Sequence, residues 1–178
     1  MKRSDIKLMP EYFSKYICQV DDIDLDDAFQ NNIHTLAGLD IAGLDSVGDN
    51  IYAPGKWTIK DIFQHMIDTE RVMSYRALRF ARKDGVIPQG YDQDLFAANA
   101  NSSHRALGEI LEEFKQLHQA TRLMFRSFSN ETLQFIGINW NQEMSVLSMG
   151  FLITGHFIHH IKTIKEKYLP SLSQPLAQ

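Results

Sequence analysis

Apolar positions recur at helical spacing along most of this chain. Pro10 opens a short segment whose apolar residues are Tyr12, Phe13, Tyr16, Ile17 and Val20. Proline suits the first position of a helix, where its missing N–H costs nothing. After the acidic stretch from Asp21 to Asp27, a second periodic run extends from Leu25 to about Leu39, with Asp24 placed as its N-cap. Residues 43–57 carry Gly43, Gly48, Pro54 and Gly55 and read as a connection. Thr58-Ile59-Lys60-Asp61 then forms a capping box: the threonine hydroxyl satisfies the backbone N–H of Asp61, and the Asp61 carboxylate reaches back. No breaker follows until Gly85, so a helix is predicted from Thr58 to about Asp84, about 40 Å long.

Residues 85–101 form a long loop, a length that in a compact domain usually serves a function. A third long helix is predicted from Ser102 or Ser103. Leu107, Ile110, Leu111, Phe114, Leu117, Met124, Phe125 and Phe128 trace one stripe along it, and Ser129-Asn130 ends it. The last long helix starts near Ser145, a good N-cap, and runs to about Tyr168, where Leu169-Pro170 stops it. Its first half, with Val146, Leu147, Met149, Phe151, Leu152 and Ile153, is apolar on nearly every side and is expected to be buried. Phe135 to Trp140 has room for a short strand, too brief to change the class. Four long helices predict an all-α four-helix bundle, a single domain over residues 1–178 with its core at about 10–168.

Composition narrows the partners. The formal net charge is −4, and the basic residues Arg71, Arg76, Arg79, Arg82 and Lys83 lie at helical spacing among apolar ones. A nucleic-acid partner, which needs clustered cations, is therefore not expected. No stretch approaches the length of a membrane-spanning helix, so no membrane partner is expected either. The single cysteine, Cys18, excludes an internal disulfide, and with no apolar segment behind Met1-Lys2-Arg3 the expected location is cytoplasmic.

The chemistry sits in the histidines. Three of the seven crowd into Gly155-His156-Phe157-Ile158-His159-His160. Residues four apart share a helix face, so His156 and His160 can present both imidazoles to one point. His156 and His159 are a geometric alternative, whereas His159 and His160 point about 100° apart. The pair has a plain reading, as two boundary histidines of an amphipathic helix. Against it, the stripe through His156 contains Met149 and Leu152, so this histidine faces inward, where unpaired imidazoles are costly. A bundle site also draws on a facing helix. The helix from Thr58 offers His65, on a stripe with Asp61, Ile62, Thr69, Val72 and Arg76 that is polar for an inward face. Three neutral nitrogens leave a coordination position open, the arrangement of a catalytic site. Imidazoles suit Zn, Ni, Fe and Cu alike. Asp68 and Asp61 are within angular reach of His65 as partners for its second ring N–H, Asp61 being already claimed by the capping box, while Glu70 points about 140° away.

These residues carry a resemblance. Tyr52-Ala53-Pro54-Gly55-Lys56-Trp57-Thr58-Ile59-Lys60-Asp61, then His65, Asp68-Thr69-Glu70-Arg71, Tyr75-Arg76-Ala77-Leu78-Arg79, Gly90-Tyr91-Asp92-Gln93 and the 155–160 segment together resemble the DinB-like superfamily, in particular its YfiT-like members. The resemblance implies up-down-down-up topology and a three-histidine metal site, here His65, His156 and His160. The implied cofactor is one divalent metal ion, Zn, Ni, Fe or Mn. Relatives are described as thiol S-transferases, as hydrolases and as stress-induced proteins of unknown activity. The implied function is activation of a bound thiol or water toward a small-molecule substrate, a low-molecular-weight thiol among the options; a non-catalytic metal- or ligand-binding stress protein is the alternative. Relatives also imply a homodimer, although the apolar segment from Tyr12 to Ile17 could instead cover its own bundle.

Arg76 is the remaining signal. It lies eleven residues after His65, within about 20° of the same stripe. An inward arginine cannot neutralise itself and needs an anionic partner. Two partners are open: Asp92 or Asp94 from the loop, or a carboxylate on the substrate, with the loop as a lid.

Overall fold

A computed structural model describes residues 1–169. A short helix α1 (Ser14–Ile17) precedes the first long helix, α2 (Leu25–Ala37), which Asp24 caps by accepting from the Asp26 N–H. After α3 (Ile41–Ser46) comes α4 (Ile59–Ala81), which the Thr58–Asp61 capping box starts as expected. Then follow α5 (Gln93–Asn99), α6 (Leu107–Arg126) and α7 (Asn130–Leu133). An antiparallel hairpin of β1 (Ile136–Asn139) and β2 (Gln142–Ser145) leads into α8 (Val146–Lys167), capped by Ser145. No helix among the described residues is long and apolar enough to cross a membrane. The expected stop at Pro170 lies outside the described residues.

Cross-helix pairs fix the directions of α2, α4, α6 and α8. His65 meets His156, and the Tyr168 hydroxyl at the end of α8 donates to the Trp57 carbonyl just before α4, so α4 and α8 run antiparallel. Gln64 meets Arg105 and Glu70 meets His118, so α4 and α6 run parallel. Asp26 holds Arg122 in a two-pronged ion pair while Phe29 touches both Phe125 and His118, which sets α2 against α6. Leu25 lies beside Gly150 and Asn32 donates to the Thr154 carbonyl, so α2 and α8 run parallel. The order is up-down-down-up, as the resemblance implied.

Three local expectations yield to tertiary contacts. The third long helix begins at Leu107, not at Ser102 or Ser103. Ser102 gives its hydroxyl to Asp61 rather than to a helix N-terminus, and Asn101 takes a left-handed backbone (φ 52) that interrupts helical winding. The supposed loop at 85–101 contains α5, capped by Asp92, and the 135–145 segment is a full hairpin rather than a single short strand. The N-terminal segment does cover its own bundle: Ile17 is fully buried, and Tyr16 lies against α8.

The core has two apolar halves. One contains Phe29, Met73, Phe125 and Leu152, the other Leu36, Met66, Phe114 and Phe157. Along each long helix the stretch between those halves carries buried polar residues: Asn32 on α2, Thr69 and Glu70 on α4, His118 and Thr121 on α6, Thr154 and His156 on α8. A polar layer thus crosses an otherwise apolar bundle. Such layers cost stability unless each group finds a partner.

Candidate metal centre

His65 and His156 are buried and His160 is half-buried, brought together from α4 and α8 over 91 residues of sequence. The His156 Nε2 lies 3.1 Å from the His65 Nε2 and 3.0 Å from the His160 Nε2. Ligand atoms of all three fall within 4.8 Å of one another. A ring nitrogen has one lone pair or one N–H, so it can make one in-plane hydrogen bond. Two nitrogens converging on a third are therefore not explained by hydrogen bonding alone. A shared ion would account for them. Nitrogens about 2.1 Å from one ion sit about 3.0 Å apart at a right angle and about 3.4 Å apart at the tetrahedral angle. The observed spacings match the lower end of that range.

The protonation states suit the same purpose. Burial pushes the His65 pKa down to about 4. It pushes His160 down to about 3, helped by the neighbouring imidazoles of His65 and His159. His156 is held well below the ordinary histidine value, first by burial and then by His160, His65, His159 and Lys15. All three are neutral near pH 7, with lone pairs free to bind a cation.

His159 is turned away, toward the Gln19 side chain at 3.3 Å. Aromatic rings wall the site: Trp57 lies 4.6 Å from the His65 ring, and Tyr16 lies edge-on 5.3 Å from His156. Asp68 accepts from Gln64 at 3.0 Å and stands 3.9 Å from Arg71, on the α4 face that meets α6. No contact among the described residues joins it to His65. Asp61 serves the capping box and Ser102, as its position predicted.

Glu70 faces away from the centre and finds His118 on α6 at 2.7 Å. This buried pair escapes sequence reasoning because its members lie 48 residues apart. The one signal is that His118 falls four residues after Phe114 on an apolar stripe. Arg76 is also buried, as its phase predicted, but it forms no ion pair with Asp92 or Asp94. Its Nη1 donates to the Asn139 Oδ1 at 2.9 Å, its Nη2 donates to the Gln89 carbonyl, and its guanidinium lies 5.8 Å from the Tyr91 ring. Asp92 is occupied in capping α5, accepting from the N–H groups of Asp94 and Leu95 at 3.0 Å.

A cavity of about 510 Å³ adjoins the centre, with His156, Leu152, Thr69, Tyr16 and Arg76 in its wall. Tyr91 closes over it from the loop before α5, its hydroxyl 2.7 Å from that of Thr69.

Comparison with known proteins agrees with this fold. No curated protein matches the sequence. Among solved structures the fold is similar to YfiT from Bacillus subtilis, described as a probable metal-dependent hydrolase with an unusual four-helix bundle topology. The TM-score is 0.68 at 15% identity, covering 95% of this chain and 93% of that one. The family model of the DinB superfamily matches residues 24–164, which include all three converging histidines, the whole of α4 and most of α8, and the chain belongs to that superfamily.

Proposed function

We propose that this protein is a metal-dependent enzyme that binds one divalent ion on His65, His156 and His160 and acts on a small molecule held in the adjoining cavity. The observation that carries the reading is the approach of two Nε2 atoms to the Nε2 of His156, at 3.0 and 3.1 Å, by imidazoles kept neutral through burial. A divalent ion on three neutral nitrogens keeps a position open and lowers the pKa of a water or thiol bound there. The protein's own residues supply the rest. Tyr16 and Trp57 shield the imidazoles from bulk water and fix their ring planes. Thr69 and Tyr91 offer hydroxyls to the cavity, whose volume suits a metabolite rather than a polymer. Burial raises the Tyr91 pKa, so its hydroxyl keeps its proton and can donate it in a hydrogen bond.

This arrangement supports hydrolysis or thiol S-transfer as the reaction, and the likeness to YfiT, described as a probable metal-dependent hydrolase, favours the first. Small esters and amides are assayed for hydrolysis, and cysteine with an alkylating electrophile for thioether formation, before and after chelation. Turnover that disappears with the metal and returns on adding Zn, Ni, Fe or Mn supports the proposal. A fully metal-loaded protein inert in both panels favours a non-catalytic binding role. Association into a homodimer and a cytoplasmic location are proposed on the same footing, the latter in keeping with the exposed free thiol of Cys18. Sedimentation showing monomer alone at high concentration contradicts the dimer.

A further inference from the structure

Arg76 is buried in the wall of the cavity that His156 also lines. A guanidinium cannot shed its proton at any working pH, so it is a standing cation in a desolvated place. Buried charges are ordinarily paired. Among the described residues no carboxylate lies within salt-bridge distance of Arg76, and both oxygens that accept from it, on Asn139 and Gln89, are neutral. Burial pulls its pKa down, with Tyr91 acting in the opposite direction. The one carboxylate in the cavity wall, Asp92, already caps α5. The fold has assembled a fixed, unneutralised cation that faces an open volume.

Its surroundings are built to hold it. Asn139 is fully buried and orients its amide by donating to the sulfur of Met144, which leaves its oxygen for Arg76. The next residue, Trp140, has a left-handed backbone (φ 60), an unfavourable conformation for a bulky side chain. The two-residue turn that joins Asn139 to Gln142 asks for this backbone at its first position. The Trp140 ring is half exposed and lies over Gly90, where an added Cβ would come within 3.4 Å of the indole. The hairpin tip and the loop before α5 therefore close on each other beside the guanidinium.

We infer that Arg76 is the recognition site for a carboxylate on the substrate, and that this cavity takes small carboxylic acids whose reacting group points toward His156. The inference rests on the proposed metal centre for the identity of the reacting end. Eleven residues of α4 separate His65 from Arg76, about 16 Å of helix rise, and the arginine side chain leans back toward the helix N-terminus. The ligand thus spans on the order of 10 Å. A planar guanidinium and a carboxylate match in a two-pronged hydrogen bond, which sets both affinity and orientation.

The test titrates hexanoate and hexanamide, equal in shape and different in charge, into metal-loaded protein and Arg76→Gln by calorimetry. Metal content and Tm are measured on the same samples. The expected result is at least a tenfold preference for hexanoate in the native chain. Arg76→Gln abolishes that preference and keeps its metal, and its Tm falls only as far as the lost hydrogen bonds to Asn139 and Gln89 account for. Equal affinities in the native chain, or no binding of either compound, overturn the inference. So does a preference that persists in Arg76→Gln, which places the carboxylate on the metal. If Arg76→Gln does not fold, metal-stripped native protein decides: a retained preference supports the site and a lost one overturns it. Hexanoate preference in a native protein that never binds metal overturns the proposed function while leaving the carboxylate site standing.

Discussion

Replacing Gly155 with alanine adds one methyl group where α8 meets the backbone of α1. The new Cβ would lie 2.1 Å from the Tyr16 carbonyl oxygen and 2.7 Å from its carbonyl carbon. An ordinary contact is about 3.5 Å, so α1 must withdraw by more than about 1 Å. Two effects compete. Alanine is a better helix former than glycine by about 1 kcal/mol. Overpacking by one methyl group costs about 1–3 kcal/mol when side chains can yield, and here the obstacle is main chain. Withdrawal of α1 also uncovers part of Ile17, whose full burial is worth about 1.5–3 kcal/mol. The clash wins, with a net loss of about 2 kcal/mol and a Tm lower by about 4–8 °C for a domain of this size. Gly108 on α6 is the control: a Cβ there meets nothing within 4 Å, so Gly108→Ala gains about 1 kcal/mol. Urea unfolding followed by circular dichroism measures both. A Gly155→Ala protein as stable as Gly108→Ala would refute the close crossing, and with it the placement of Tyr16 beside His156.

Three further outcomes follow from buried groups. In metal-free protein the depressed pKa values of His65 and His160 contribute stability that is complete above the unfolded value of about 6.5 and is lost as pH falls toward their folded values. Acidifying from pH 7 to 5.5 costs roughly 1.2 kcal/mol for each, about 2.5 kcal/mol together, with His156 adding in the same direction; urea curves of the native chain and of His65→Gln/His160→Gln at both pH values should differ in this slope, and parallel slopes contradict it. Glu70→Leu strands the buried His118 and costs about 1–3 kcal/mol, whereas Glu70→Leu/His118→Leu recovers most of the loss because both polar partners are gone; a double variant no more stable than the single counts against the pairing. Thr58→Ala removes the hydroxyl that accepts from the Asp61 N–H at 3.2 Å and should cost about 1 kcal/mol in the same assay.

Features set by nearest neighbours in sequence were the readable ones. Asp24, Thr58 and Ser145 cap the helices that their positions predicted, because N-capping needs a side chain and a backbone N–H only two or three residues apart. The His156–His160 pair was legible for the same reason, as was the inward phase of His65 and Arg76. Features set by distant neighbours were not. Ser102 looked like an N-cap until Asp61, 41 residues earlier, took its hydroxyl. The partners of Arg76 come from residues 89, 91 and 139, so its phase showed that it was buried but not what it would meet. The hairpin was obscured by its shortness and by Gly137, which exists for the close approach of Phe80 rather than for strand propensity: a Cβ there would lie 2.8 Å from that ring.

Metal analysis of purified protein and four single variants tests the central claim most directly. The native chain should carry close to one divalent ion, with X-ray absorption showing three imidazole nitrogens about 2.0–2.1 Å away if that ion is zinc. His65→Ala, His156→Ala and His160→Ala should each lose most of the metal, while His159→Ala, whose imidazole faces Gln19, should retain it. Metal lost in His159→Ala but kept in His160→Ala, or a folded native chain that takes up no ion at all, would contradict the account.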